Sequence, residues 1–503
     1  MSTCATYLRS QSHVKNRFIP ATVGISELLL TRESRVYPPR HVAPHPAYLA
    51  WRSHPSVAVP AWREPMWAAL VGVSFFLISY PRIVLPSIVD SMWWLAGLAL
   101  LVVLIDHRQI SLRRPPLAMA VFLAFCLTSL AWSLNPSATA TSVLLYAWIA
   151  LLALTVTSNT DSNTLARGIR WGGLLTACSA VKPFVTTLTE TGATVASTPL
   201  LGVHGNRNIV SYTLLLALCA GLTYRPSGRL RRIRWATAVC VILAVLLLAR
   251  SATGYLATIA VLAVWGGLTI SARMTPRRAA RSRIAVASAT TGTAILAALN
   301  IERISEFMGR TSSLSGRLPL WRAIIEASGD AAIRGDGWGA VWAYAWRPAP
   351  PNEMKQLIDE LTGFPLSHGH NAVLDLLPQV GLIGVGICVL IVLRALVVVL
   401  IPTTRDAAGT VAWIGTTITA LLVMGATEPM FTVPLGWFLL VACATRAEEV
   451  GGIRHRSARI SEVSSRGRTG STQDRFHTDY GIEVGQARNT ASPPVKRGPF
   501  RVE

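Results

Sequence analysis

Charge is what this sequence has least of. Of its 503 residues only 14% are Asp, Glu, Lys or Arg, against 51% hydrophobic. An ordinary soluble domain carries about 25% charged residues, so a water-soluble protein of this size is not expected. Acid is scarcer still, because 25 Asp and Glu face 47 Lys and Arg, for a net charge of +22. A basic excess raises the question of a nucleic-acid partner, and the answer depends on where the cations lie. Cysteine pairs are missing as well. Six of the seven cysteines (Cys126, Cys178, Cys219, Cys240, Cys388 and Cys443) lie inside apolar runs, Cys4 precedes them, and no C-x-x-C occurs. They read as packing residues, not as ligands or a disulfide framework. There is no G-x-x-x-x-G-K-[ST] loop, which excludes an ATP-driven motor carried by this chain. No acidic cluster has the spacing of a hard-cation site. Neither a metal nor a cofactor is expected.

What is there begins with a polar extension. Residues 1–62 are rich in Arg, His, Pro and Ser and hold no long apolar run. They read as a disordered basic cytoplasmic extension, with His41, His45 and His54 as scattered tail histidines. From residue 66 the pattern changes to apolar stretches of about 15 to 20 residues, the length a helix needs to cross a hydrocarbon core of roughly 30 Å. Twelve are found, at about 66–80, 88–105, 117–132, 143–156, 171–185, 209–222, 235–248, 255–270, 284–299, 376–400, 410–424 and 434–445. The expected fold class is an all-α polytopic membrane protein with its membrane domain over 63–445. Residues 446–503 revert to a Ser- and Arg-rich run that reads as a disordered basic cytoplasmic tail tracking anionic headgroups.

Alternate loops differ sharply in charge. One set holds sixteen arginines, with clusters at Arg229, Arg231, Arg232 and Arg234 and at Arg277, Arg278, Arg281 and Arg283, whereas the short loops of the other set hold Arg82, Lys182, Arg207 and Arg250. By the positive-inside rule both termini are cytoplasmic. The net charge therefore reads as topology, and no nucleic acid is expected as a partner. One connection is much longer than the rest. Residues 300–371 lie on the outer side with nearly balanced charge, and a loop of that length implies function. Leu318, Trp321 and Ile325, and then Met354, Leu357, Ile358 and Leu361, follow helical spacing, which predicts short amphipathic helices lying on the membrane with one apolar face down.

The long loop ends in Ser367-His368-Gly369-His370-Asn371, followed after nine residues by Gly381-Leu382-Ile383-Gly384 at the start of an apolar stretch. Other pieces fall in order: Gly205-Asn206-Arg207-Asn208, Arg250-Ser251-Ala252-Thr253-Gly254, the run Gly309 to Trp321 with Arg310 and Arg317, Gly335-Asp336-Gly337-Trp338-Gly339, and Glu428 in the last outer loop. This pattern resembles the bacterial O-antigen ligase and polymerase superfamily over about residues 66–445, and the run from Gly309 to Trp321 is most similar to its exopolysaccharide-polymerase branch. The resemblance implies a glycosyltransferase of the cytoplasmic membrane. It would move or polymerise a polyprenyl-diphosphate-linked glycan onto a hydroxyl of an acceptor glycan or lipid on the outer face. It also implies a catalytic base at His370 beside Asn371 and a pyrophosphate-binding arginine at Arg317. Family members often place an arginine just after a serine in the seventh-to-eighth connection. That position is Ala252 here, so Arg250, Arg207 and Arg310 stand as alternates for the second pyrophosphate arginine.

The residue types suit that chemistry. A sugar diphosphate already carries a good leaving group, so the needs are charge neutralisation and a base for the incoming hydroxyl. The guanidinium fork binds phosphate oxygens bidentately, and imidazole titrates near working pH, at about 6.5. Blander readings stand beside each candidate. His368 competes with His370, and either histidine can be only a polar residue at a helix mouth. Arg310 and Arg317 can pair with Glu302, Glu306 or Glu326. Trp338, Trp342, Tyr344 and Trp346 can stack on sugars or form an interfacial belt. Asp375 and Glu428 are candidates for acceptor contacts or orienting roles. The second function class is a multi-pass transporter or permease of a small solute or lipid-linked sugar, which twelve spans would also suit. Transporters cluster polar residues and broken helices at mid-membrane, whereas the informative residues here lie outside.

Overall fold

The computed structural model describes residues 60–79, 88–107, 110–203, 205–224, 226–299, 317–342, 352–401 and 407–469. These belong to one compact unit that begins at Pro60. The expected N-terminal extension and the far end of the C-terminal tail fall outside the described residues. So do Arg310, Tyr344 and Trp346.

Among the described residues the structure is helical and contains no strand. In chain order the helices are α1 (Arg63–Ser79), α2 (Ile88–Ile105), α3 (Leu117–Thr128), α4 (Pro136–Asn159), α5 (Ser162–Thr191), α6 (Arg207–Thr223) and α7 (Arg229–Leu248). Then follow α8 (Ala252–Ser271), α9 (Pro276–Leu299), α10 (Arg317–Ser328), α11 (Glu353–Thr362), α12 (Ala372–Leu400), α13 (Ala408–Gly425) and α14 (Pro434–Thr469). A helix covers each of the twelve apolar stretches. Four of them, α4, α8, α12 and α13, are long and apolar enough to cross a membrane. Large apolar side chains such as Leu104, Leu144, Ile259 and Leu393 lie on the outside of the bundle. Such a surface is stable against lipid and not against water, so this is a helical membrane protein.

Short polar side chains start many of these helices. Asn135, Asp161, Asn206, Ser251, Asn352 and Asn371 each accept a hydrogen bond from a first-turn N–H of the helix that follows. An N-cap of this kind satisfies one of the donors that a helix start leaves unpaired. Helix α14 continues past 445 to Thr469, where the composition predicts an irregular tail. Its first turns beyond 445 are pinned, because Arg446 is buried and its guanidinium bonds Glu449 and the Thr160 carbonyl.

Both helices expected in the long loop form, but their apolar faces split. Leu320 and Ile324 of α10 pack with Val341, Trp342, Met354 and Ile358 in a small core of their own. Leu318 and Ile325, in the apolar face expected to lie down on the membrane, are 42% and 57% exposed, and so are Leu357 and Leu361 of α11 at 42% and 41%. The spacing sets which residues share a face. It does not say which of two apolar faces meets protein.

Helix α12 is broken within its first turns. Gly381 has φ 59° and ψ −171°, and Pro378 precedes it. The break frees the carbonyls of Pro378 and Gln379 and the N–H of Ile383. The segment 333–337 takes all three: Asp336 N–H donates to Pro378 O at 2.9 Å, Gly337 N–H to Gln379 O at 3.0 Å, and Ile383 N–H to Ile333 O at 3.1 Å. The Gly335-to-Gly339 run is thus stitched into the interrupted helix. A Cβ on Gly335 would lie 2.4 Å from the Gln379 carbonyl carbon, closer than any side chain tolerates.

Candidate functional site

At the mouth of α12, residues from five separated segments meet. Helix α10 begins with Arg317, whose Nη2 lies 3.5 Å from Glu428 Oε1. Asn208, in the first turn of α6, donates to the same Oε1 at 2.7 Å. Ser251, the N-cap of α8, donates from Oγ to Asn208 Oδ1 at 2.9 Å. The ligand-capable atoms of His368, His370 and Glu428 all lie within 4.8 Å of one another. The two imidazole rings stand 4.0 Å apart.

The loop that carries the histidines is held at several points. The Asp375 side chain is fully buried; its Oδ1 accepts from Gly369 N–H at 2.7 Å, and its Oδ2 accepts from the Thr432 hydroxyl. Trp321 of α10 donates its indole N–H to Gly369 O at 3.2 Å. Asn371 caps α12 through Val373 N–H and Leu374 N–H, and its amide reaches Ala426 O at 3.2 Å. Between these anchors His370 has a left-handed backbone, φ 47°. Arg250, at φ 52°, is the other non-glycine residue in that region among those described. Such a conformation costs an L-residue about 1–2 kcal/mol, and it persists only where neighbours over-determine it. The His370 Nδ1 atom is buried with no protein hydrogen-bond partner.

Electrostatics separate the groups. Burial, followed by the charge of Arg317, holds His370 down at about 4. Burial, His370 and Arg317, in that order, hold His368 at about 3. Glu428 moves the other way, raised by burial to about 7 although Arg317 and the Asn208 hydrogen bond both pull it down. Near neutral pH both imidazoles are therefore uncharged and able to accept a proton, and Glu428 stands near half-ionisation. Two histidines and a carboxylate so close could also ligate a divalent cation. Arg317 beside the carboxylate already supplies positive charge there.

Among the residues singled out from sequence, His368, His370, Asn371, Arg317, Asp375 and Glu428 come together. Arg207 and Arg250 sit next in the chain to Asn208 and Ser251, at the edge of the same network. Trp338 does not join them. It is 2% exposed and wedged edge-on against Phe122 and Tyr146, with ring centroids 5.6 and 4.8 Å away. Its indole anchors the loop in the bundle, and a sugar has no access to it. Trp342 is likewise buried, its indole N–H donating to Asp375 O at 2.9 Å, so neither ring belongs to an interfacial belt. Asn208, Ser251 and Thr432 were not singled out from sequence. Asn208 lies beside Arg207 in the Gly205-to-Asn208 run, and it is the amide that makes the contact with Glu428.

No family model matches the chain. The chain is 27% identical over 313 residues to the exopolysaccharide production protein ExoQ of Rhizobium meliloti (strain 1021), an alignment that covers 59% of this chain and 69% of that protein.

Proposed function

We propose that this protein is a glycosyltransferase of the cytoplasmic membrane that transfers or polymerises a polyprenyl-diphosphate-linked glycan on the outer face, in the making of an exopolysaccharide. The observation that carries the reading is the meeting of Arg317, Glu428 and Asn208 with two uncharged imidazoles, one of them with an unpartnered buried nitrogen. The likeness to ExoQ supports an exopolysaccharide product, and the resemblance to the O-antigen ligase and polymerase superfamily supports the donor class. All twelve apolar helices cross the bilayer in this reading, with both termini in the cytoplasm.

In the reaction, the acceptor hydroxyl oxygen bonds to the anomeric carbon as the bond from that carbon to the diphosphate oxygen breaks. The leaving electron pair goes to the diphosphate, and the hydroxyl proton goes to His370. Arg317 takes the diphosphate charge as a bidentate partner, with Arg207 or Arg250 as the second cation. Asn371 fixes the loop, and Glu428 and Asn208 aim Arg317. The reaction is metal-independent, since Arg317 does the work a divalent cation would do on the leaving group.

Transfer or polymer formation by the purified protein with a lipid-diphosphate glycan tests this. Both His370→Ala and Arg317→Ala are expected to lose at least a hundredfold in rate, and a chelator is expected to change nothing. Full activity in either variant would overturn its assigned role, and loss on chelation would overturn the metal-independent step. A permease reading gains nothing from the broken α12, because the three backbone groups freed there are taken by residues 333–337.

A further inference from the structure

The three ionisable groups of the histidine site stand on three separate pieces of chain: Arg317 on α10, His370 on the loop before α12, and Glu428 between α13 and α14. Their mutual distances must therefore be set by contacts between those pieces, and the pieces meet at Gly369. Its N–H donates to Asp375 Oδ1 at 2.7 Å, and its carbonyl accepts from the Trp321 indole N–H at 3.2 Å. A Cβ there would crowd both sides, at 3.0 Å from Asp375 N and 3.2 Å from Ile324 Cδ1. His370 follows directly, with its backbone left-handed at φ 47°. Such a conformation relaxes if its neighbours let go.

Each tie on Gly369 runs on to one of the other two groups. Trp321 lies four residues after Arg317, one turn along the same face of α10, and its ring packs on the small core of the long loop. Asp375 accepts with its other oxygen from the Thr432 hydroxyl. Thr432 shares a tight turn with Glu428, where Met430 N–H donates to Glu428 O at 2.8 Å and Thr432 N–H to Pro429 O at 3.1 Å. Asp375 is itself fixed: it is fully buried, its N–H donates to Asn371 O at 2.8 Å, and its carbonyl accepts from the Trp342 indole and the Gln379 amide. A buried carboxyl group is costly where an apolar side chain would pack as well, so its place here calls for a use beyond packing.

We propose that Trp321 and Asp375 are the positioning residues of His370: through the Gly369 peptide, Trp321 sets the imidazole against Arg317 and Asp375 sets it against Glu428. The purpose of the arrangement rests on the glycan-transfer reading, and the arrangement itself rests on the hydrogen bonds. A displacement of about 1 Å between a base and its substrate costs on the order of a hundredfold in rate. The ties therefore act on kcat and leave donor binding by Arg317 in place.

One consequence can be read without substrate. Burial and then Arg317 hold His370 at about 4, and His368 and Glu428 are the other ionisable groups beside it. A loosened loop admits water and carries the imidazole away from Arg317, and both raise it toward about 6.5. Diethylpyrocarbonate acylates neutral imidazole, so its labelling of His370, read by peptide mass spectrometry across pH, follows this group in the full-length protein in nanodiscs. Trp321→Phe keeps a ring and removes the indole N–H. Its labelling midpoint is expected about one pH unit or more above that of the unaltered protein, with kcat about tenfold lower or more and KM for a lipid-diphosphate glycan unchanged. Asp375→Leu is expected to do the same. Should that variant not fold, Thr432→Val, which removes the hydroxyl that Asp375 accepts from, takes its place. Gly363→Ala, which strains a turn outside the site, is expected to move neither reading. An unmoved midpoint in Trp321→Phe, with or without a lower melting temperature, or a rise in KM that accounts for the lost rate, would overturn the proposal. An unaltered protein that transfers no glycan would overturn the glycan-transfer reading instead, and the labelling would still decide what holds His370.

Discussion

His370 stands beside a guanidinium that weakens it as a base, and the proposed substrate removes that handicap. Burial and Arg317 hold the imidazole at about 4 in the free protein, while burial holds Glu428 up at about 7. A diphosphate bound to Arg317 cancels the positive charge that the histidine feels, so the pKa of His370 rises on binding. The same anion disfavours ionisation of Glu428, which rises too. The free protein governs kcat/KM, and its profile is expected to be bell-shaped. Activity is gained as His370 loses its proton above about 4, and lost as Glu428 ionises above about 7 and competes with the diphosphate for Arg317. The complex governs kcat, and both limbs are expected at higher pH there. Glu428→Gln should remove the alkaline limb of kcat/KM and leave the acid limb in place. Limbs that coincide in the two profiles, or an alkaline limb that survives in Glu428→Gln, would show that charge at Arg317 does not set these groups.

The elements show a division between what is local in the chain and what is not. Helix starts are set by side chains one to three residues away, as at Asn206 and Asn371, because a cap acts within a single turn. The candidate histidines lie in one short run at a helix mouth, and their role came from the resemblance and not from local physics. The Gly335-to-Gly339 run could not be interpreted, since its cause is a break at Gly381 more than forty residues on, in a helix whose own apolar pattern continues through the break. The role of Trp338 was hidden in the same way, because its neighbours Phe122 and Tyr146 come from two other helices. Two left-handed glycines separate the causes experimentally. Gly363, φ 78°, has open space where a Cβ would go, whereas Gly335, φ 71°, has the Gln379 carbonyl carbon at 2.4 Å. Gly363→Ala is expected to cost about 1 kcal/mol, the backbone penalty alone. Gly335→Ala adds a clash with main chain and is expected to cost roughly 3 kcal/mol or more. It should also open the 333–337 segment to protease in the purified protein. Equal melting temperatures for the two variants would mean that the stitching of the loop into α12 contributes nothing.

At the scale of the whole molecule, the arginines at the heads of two helices set the orientation in the proposed topology. Helix α7 begins Arg229-Leu-Arg231-Arg232-Ile-Arg234, and α9 carries Arg277, Arg278, Arg281 and Arg283 in its first turns. A cation in the first turn opposes the helix dipole, at about 0.3–1 kcal/mol each when exposed. Placed on the cytoplasmic leaflet, each gains about 1 kcal/mol from anionic lipid, so the pattern is favourable on that side and unfavourable in water or on the far side. Long arginine stems reach the headgroups while the rest of the helix stays in hydrocarbon. Arg283 shows a further use, donating to Val399 O at 3.1 Å at the end of α12. On this argument α7 and α9 cross the bilayer despite their charged heads, and the loop carrying His370 lies on the opposite side. Reporter fusions in cells read that directly. Green fluorescent protein joined after Ser227 or Thr275 is expected to fluoresce, and alkaline phosphatase joined after Phe364 to be active. A silent fluorescent fusion at either basic loop, or an inactive phosphatase at Phe364, would mean that an apolar helix upstream does not cross, and the histidine site would then face the wrong compartment for an exported glycan.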